Sequence, residues 1–294
     1  MNAYVKAFPL PDYGFSPDGE YPICNIEKGS ATYVLSYDLP EEPSQLSQGL
    51  SLREVQCGYV ENMVPGKAVA VLSDGRTVTA AGKAAHSCQP ERGSNALFAL
   101  YEHLKPMGLV PNGVYRLLQA VYDHFQDVYG RSLGLYSPSE YYQGEFVHRT
   151  VCSPTIFQTK DGRCTVIVNI RFAYGADTDE ITRAIRTFAE QTGGTLYTSE
   201  ILPAVFVSKE KPFLQEMAKA YEAVTGLKNE FTLAYGGSYA KAMPNIVSWG
   251  PVFPGDEDTC HEPNEYIAVD RLMCSTKIFA QTIAALTRSH DCFQ

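Results

Sequence analysis

Positive charge is scarce in this 294-residue chain: 24 Lys and Arg stand against 33 Asp and Glu, for a formal net charge of −9. Without a basic field to collect phosphates, neither nucleic acid nor an anionic membrane is an expected partner. No block of like charge is long enough to form a tail. The eight cysteines, Cys24, Cys57, Cys88, Cys152, Cys164, Cys260, Cys274 and Cys292, include no C-x-x-C pair. They sit mostly in apolar company, which predicts reduced, buried thiols of a cytoplasmic protein instead of a disulfide framework. The opening "MNAYVKAFPLPDYGFSPDGEYP" lacks an apolar h-region and is broken by four prolines, so neither a signal peptide nor a membrane anchor is expected there.

What the chain does have is the composition of an ordinary globular protein, 45% hydrophobic and 19% charged, with length enough for two domains. Residues 1–26 read as a connector, in which "PLPDYGFSPDGEYP" cannot hold a helix. "ATYVLSYDL", "LREVQCGYVE" and "KAVAVLS" alternate or run apolar and read as strands. "SNALFALYEHL" reads as a helix capped by Ser94, and residues 112–130 as a second, opened by Asn112 and closed by Gly130. "RCTVIVNIRFAYG" is the strongest strand, followed by a helix with Asp177 and Glu180 at capping-box spacing and Gly193 at its end. Residues 195–207 return as one strand. Strand, strand, helix, strand thus occurs twice, an α+β plan of antiparallel sheet with helices on one face. After Pro203 the texture turns α/β and closes on an amphipathic helix. The two ends therefore belong together, 1–26 with 203–294, and 27–202 is inserted between them.

Six places could carry chemistry. "GFSPDGEYP" presents Asp18 after a rigid Ser-Pro turn, as a cation ligand or as an ordinary turn acid. Asn62 in "NMVPGKA" reads as turn chemistry or as a ligand contact. His86 in "GKAAHSCQPERGSN" lies among small residues that admit a ligand, or is a hydrogen-bonded loop histidine. Arg171, inside the apolar "VNIRFAYG", needs an anionic partner or an open sheet face, where it would grip a carboxylate bidentately. "YGGSYAK" exposes amides at Gly236, Gly237 and Ser238 to close substrate approach. His261, among the acids of "GPVFPGDEDTCHEPNEYI", is a metal ligand, a base, or an incidental loop histidine.

Taken together and in order, "GFSPDGEYP", "EKG", "NMVPGKA", "GKAAHS", "GSNAL", "VNIRF", "GGSYAKAMPN" and "CHEPNEYI" resemble the dinuclear zinc exopeptidases (aminoacylase and carboxypeptidase-like). Within them they resemble the bacterial broad-specificity dipeptidases of the dipeptidase V type. The resemblance implies a dipeptide or small peptide as substrate, and two zinc ions, with Asp18 a ligand of one and His261 of the other. It implies that His86 polarises the scissile carbonyl, that Asn62 holds substrate, and that Arg171 binds its C-terminal carboxylate. It implies that Gly236, Gly237 and Ser238 contact the substrate. The implied fold is a doubled ferredoxin-like lid, antiparallel sheet with helices on one face, inserted in the remnant of an α/β zinc-peptidase catalytic domain.

Relatives carry an H-x-D motif, a bridging Asp and a Glu-Glu pair before the "GFSPD" segment, and this chain has none of them. It is therefore expected to be a C-terminal portion of a zinc-dependent dipeptidase. Such a portion would lack the general base and several ligands, be inactive alone, and need the missing N-terminal segment as partner; the complete enzyme is expected to be monomeric. Without that segment, "NIVSWGPVF" and Ile278, Phe279, Ile283 and Leu286 are expected to expose apolar surface. An N-acyl amino acid amidohydrolase of the same family, and a non-catalytic binding or assembly module, stay open as alternatives.

Overall fold

The computed structural model describes residues 2–39, 49–257, 259 and 264–288. They form a mixed α/β fold that divides into two compact units, Gly29–Leu202 and Met1–Lys28 with Pro203–Gln294. Glu27 and Lys28, both fully buried, fall in the unit formed by the two chain ends.

The inserted unit is built on one seven-stranded sheet, ordered Thr195–Leu202, Gly29–Asp38, Arg163–Phe172, Val151–Lys160, Leu52–Cys57, Lys67–Leu72, Thr77–Ala81. Every neighbouring pair is antiparallel. Gly29–Asp38 shows why the sheet has two characters. Ala31, Tyr33, Leu35 and Tyr37 are buried, while the residues between them are half-buried, the period of two that a strand imposes. The buried set faces helix Thr178–Gln191: the hydroxyls of Tyr33 and Thr182 lie 2.9 Å apart, and that of Tyr37 lies 3.1 Å from that of Thr192. Helices Ala96–Leu104, Gly113–Phe125 and Thr178–Gln191 touch in series, through Phe98 and Tyr101 against Tyr122 and through Phe125 against Phe188. They make one layer over one face of the sheet.

Several local expectations change in this unit. The first helix is capped by Asn95, whose side chain accepts from the Leu97 amide, while Ser94 pairs with Lys83. The second helix ends at Phe125, where Asp127 takes over by accepting from the amides of Tyr129 and Arg131. The long strand Val151–Lys160 has no counterpart among the expected strands. Nor is 195–207 one strand: it breaks at Pro203, and Val205–Phe206 pairs with Cys24–Glu27 in the unit of the two ends.

In that unit, the expected connector supplies strands Gly14–Ser16 and Cys24–Glu27 as well as a helix, Asn2–Ala7. Gly14–Ser16 runs parallel to Ile246–Ser248, and Thr232–Ala234 parallel to Cys24–Glu27. Helices Pro212–Thr225 and Val269–Arg288 pack on this sheet around Tyr21, Ile23, Leu214, Met217, Val247, Trp249 and Ile278. The expected exposure of "NIVSWGPVF" is therefore corrected: Val247 and Trp249 are fully buried, and so is Ile278, because these ends supply enough sheet and helix to cover one another. Ile283 is exposed as expected, along with Val269, Leu272 and Met273 of the same helix. No disulfide joins the described cysteines. Among the described residues no helix is long and apolar enough to cross a membrane.

Candidate functional site

Three of the singled-out residues come together in the inserted unit. Met63–Val64 pairs with Ala85–His86, which sets Asn62 beside the histidine. The Asn62 carbonyl accepts from the Ser87 amide at 2.9 Å, and its side-chain amide lies 3.4 Å from His86 Nε2. The Cys88 amide donates to His86 Nδ1 at 3.1 Å. That bond needs a lone pair on Nδ1, so the proton of the neutral ring is on Nε2, the nitrogen turned toward Asn62. Asn62 then meets it with its amide oxygen, an orientation assigned from the hydrogen bonds. His86 is half-buried and Asn62 exposed.

Ser87 links this corner to the arginine. Its hydroxyl donates to Asn169 Oδ1 at 2.7 Å, and Arg171 Nε donates to the same oxygen at 3.1 Å. Asn169 Nδ2 donates to the Thr32 hydroxyl at 2.9 Å. Asn169 and Arg171 are two apart on one strand, and Thr32 alternates with the helix-facing Ala31 and Tyr33, so this network occupies the face away from the helix layer. Arg171 is 9% exposed, and among the described residues no carboxylate pairs with it. Burial pulls its guanidinium below the ordinary arginine value, against a smaller opposing effect of Cys88. Arg171 is thus a buried fork with one nitrogen fixed by Asn169 and no carboxylate beside it among the described residues. Sequence reasoning missed Ser87 and Asn169. The available signal was position: Asn169 shares a strand face with Arg171, and Ser87 follows His86.

The unit of the two ends carries the other candidates. Asp18 is exposed just past Gly14–Ser16, its carbonyl accepting from the Ser248 hydroxyl at 3.2 Å. Gly14–Ser16 and Ile246–Ser248 are parallel, so the loop bearing Asp18 and the loop that leads toward His261 leave the same end of the sheet. Carboxyl ends of parallel strands are where open α/β sheets place ligands. His261 itself lies outside the described residues. Among the described residues no three His, Cys, Asp or Glu side chains gather into a metal site. One carboxylate cannot hold zinc, which takes about four ligands, so the described residues alone do not fit the ion.

Gly236 and Gly237 are exposed, and their amides bond to no described residue. Ser238 differs from them. Its amide donates to Glu27 Oε2 at 3.1 Å and its hydroxyl to Glu27 Oε1 at 2.6 Å, so both donors are committed within the protein.

No family model matches the chain. The Bacillus subtilis protein named "Putative dipeptidase YtjP" is 30% identical over 315 residues, covering 97% of this chain and 66% of the relative. That name says "putative dipeptidase" and nothing firmer. A Staphylococcus epidermidis protein of that description is 25% identical over 312 residues, covering 96% of this chain and again 66% of the relative. Among solved structures, the aminoacylhistidine dipeptidase of Vibrio alginolyticus superposes with a TM-score of 0.53 at 14% identity, over 92% of this chain and 64% of that one. At that identity the likeness is one of fold. The chain spans just under two thirds of the length of the curated relatives it matches.

Proposed function

We propose that this chain supplies the substrate-gripping lid and part of the metal site of a zinc-dependent dipeptidase. The observation that carries the reading is Arg171: buried, fixed through Nε by Asn169, and without a carboxylate partner among the described residues. A free α-carboxylate matches its planar fork, which favours short peptides with an open C-terminus over longer or amidated ones. His86, with its proton on Nε2, would have to turn that proton from Asn62 to a substrate carbonyl oxygen to stabilise negative charge developing there. Asn62 holds the ring until substrate arrives, and the exposed amides of Gly236 and Gly237 are donors suited to a peptide backbone.

In this reading the inserted unit is the doubled lid and the two ends are part of the catalytic domain. Asp18 and His261 would be two of the zinc ligands. The remaining ligands and the general base would come from sequence outside this chain, consistent with its coverage of 66% of the relative. A reducing, cytoplasmic setting belongs to the same proposal, supported by the free, buried thiols of Cys57 and Cys164.

The test is complementation. The chain is mixed with the segment of the Bacillus subtilis relative that has no counterpart here, zinc is titrated, and dipeptide hydrolysis is followed. Hydrolysis should require both pieces and the metal. Association of the pieces without hydrolysis of any dipeptide would sink the proposal, and cleavage of N-acyl amino acids instead would reassign the chain to an amidohydrolase.

A further inference from the structure

We propose that Glu27 and Lys241 form a buried clamp that sets the glycine turn at 236–238 and ties together the points where the chain leaves and re-enters its own unit. Glu27 is fully buried and the Lys241 side chain 6% exposed, with Nζ 3.6 Å from Glu27 Oε2. Charges so buried persist only where hydrogen bonds replace water. For Glu27 those bonds come from the amide and hydroxyl of Ser238. For Lys241 they include the carbonyls of Lys28 and, at 3.0 Å, of Pro203. Lys28 is the last residue before the chain leaves this unit and Pro203 the first after it returns. One ammonium thus holds both crossing points.

The turn is set by the same pair. Ser238 begins the short helix Tyr239–Ala242, its hydroxyl also accepting from the Ala240 amide at 3.1 Å. Glu27 therefore fixes the residue on which the turn ends. The stem of Lys241 lies against Gly237, where a Cβ would overlap its Cε, so a larger residue there would push the lysine aside. Glu27 and Lys241 accordingly act as positioning residues, through Ser238 and Gly237, for the amides of Gly236 and Gly237. The consequence for substrate rests on the dipeptidase reading; the clamp itself does not.

Hydrogen exchange followed by mass spectrometry on the chain itself tests it, since neither metal nor substrate is needed. Lys241→Met should speed exchange in peptides covering 203–207 and 234–242 by about tenfold or more, leaving 212–225 unchanged. Lys241→Arg, which keeps a cation for both carbonyls, should restore most of that protection. Should Lys241→Met fail to fold, Glu27→Gln keeps an acceptor for Ser238 and should loosen the same segments by about threefold or more. Exchange there equal to wild type, or raised uniformly across the unit, would overturn the clamp. In the complemented dipeptidase, Glu27→Gln should raise KM by about tenfold with kcat within about threefold; an unchanged KM would remove the positioning role while the exchange result stood.

Discussion

The two units solve the problem of holding polar groups in opposite ways. In the inserted unit, ten-residue strands with continuous register carry Asn169, Arg171 and Thr32 on one face, and a short loop lays His86 and Ser87 against them. Rigid strands place the side chains, and hydrogen bonds to near neighbours on that face hold them. In the unit of the two ends, strands of two to four residues are joined across about 180 positions or more, as when Gly14–Ser16 meets Ile246–Ser248. There the order comes from aromatic packing, Phe15 and Tyr21 edge-on to Trp249 at 5.3 and 5.7 Å, and from a buried ion pair. Long strands position by backbone; short ones depend on what is packed around them.

The sharpest way to break that comparison is at Arg171. Arg171→Met should lower kcat/KM of the complemented enzyme on dipeptides by about 10³-fold, and much less on their C-terminal amides. It should not lower the unfolding midpoint, because a buried charge without a carboxylate partner costs stability where a thioether does not. A matched loss on both substrates, or a large loss of stability, would make the arginine a structural residue. At His86 the expected effect is next in size: His86→Ala should reduce kcat by about 10²–10³ and leave bound zinc unchanged, with atomic absorption as the check. Lost zinc would mean a ligand has been mistaken for a hydrogen-bond donor.

Alkaline unfolding probes both units together. Burial pushes the Cys24 thiol up to about 11 and the Tyr21 hydroxyl to about 12 in one unit, and Cys57 and Tyr37 each to about 12 in the other. Each group keeps its proton in the native state after the unfolded chain has lost it. The stability it contributes is therefore complete below about pH 8.5 for the thiols and about pH 10 for the tyrosines. It then falls by about 1.4 kcal/mol per group per pH unit until the native group titrates. Trp249, the one tryptophan of the sequence, reports by fluorescence on the unit of the two ends, whereas circular dichroism sees both units. The two probes should give separate denaturant transitions, and both midpoints should fall as pH rises above about 9. Coincident transitions would mean the units unfold as one.

The smallest effect concerns the link between His86 and Arg171. Ser87→Ala removes one hydrogen bond to Asn169 and should cost about 1 kcal/mol in chemical denaturation, detected by circular dichroism and not by Trp249.

Legibility in the sequence follows the same division. Arg163–Phe172 is readable because an apolar, β-branched run with an internal arginine has few other ways to lie. The capped helix after it is readable from Asp177, which accepts from the amides of Asp179 and Glu180. Gly14–Ser16 and Cys24–Glu27 are not, since nearby prolines argue against strands and the partners lie far along the chain. Tertiary pairing overrides local preference there. In the site, residues of distinctive chemical type are visible one by one, but the hydrogen bonds that join them are not. Nothing in "AHSC" says that Ser87 will reach Asn169, because that contact needs a fold to exist first.

The placement of one unit inside the other also has a consequence in time. Gly14–Ser16 and Cys24–Glu27 leave the ribosome well before the Ile246–Ser248 and Thr232–Ala234 strands they pair with. At about 5–20 residues per second, Gly14–Ser16 waits roughly 12–46 s for its partner, and Cys24–Glu27 roughly 9–36 s for Val205–Phe206. Within that interval the whole of the inserted unit emerges and can fold. Synthesis therefore presents the cell with a finished middle and two ends still waiting, and Tyr13, Phe15 and Tyr21 are the apolar side chains that a chaperone would meet in that window.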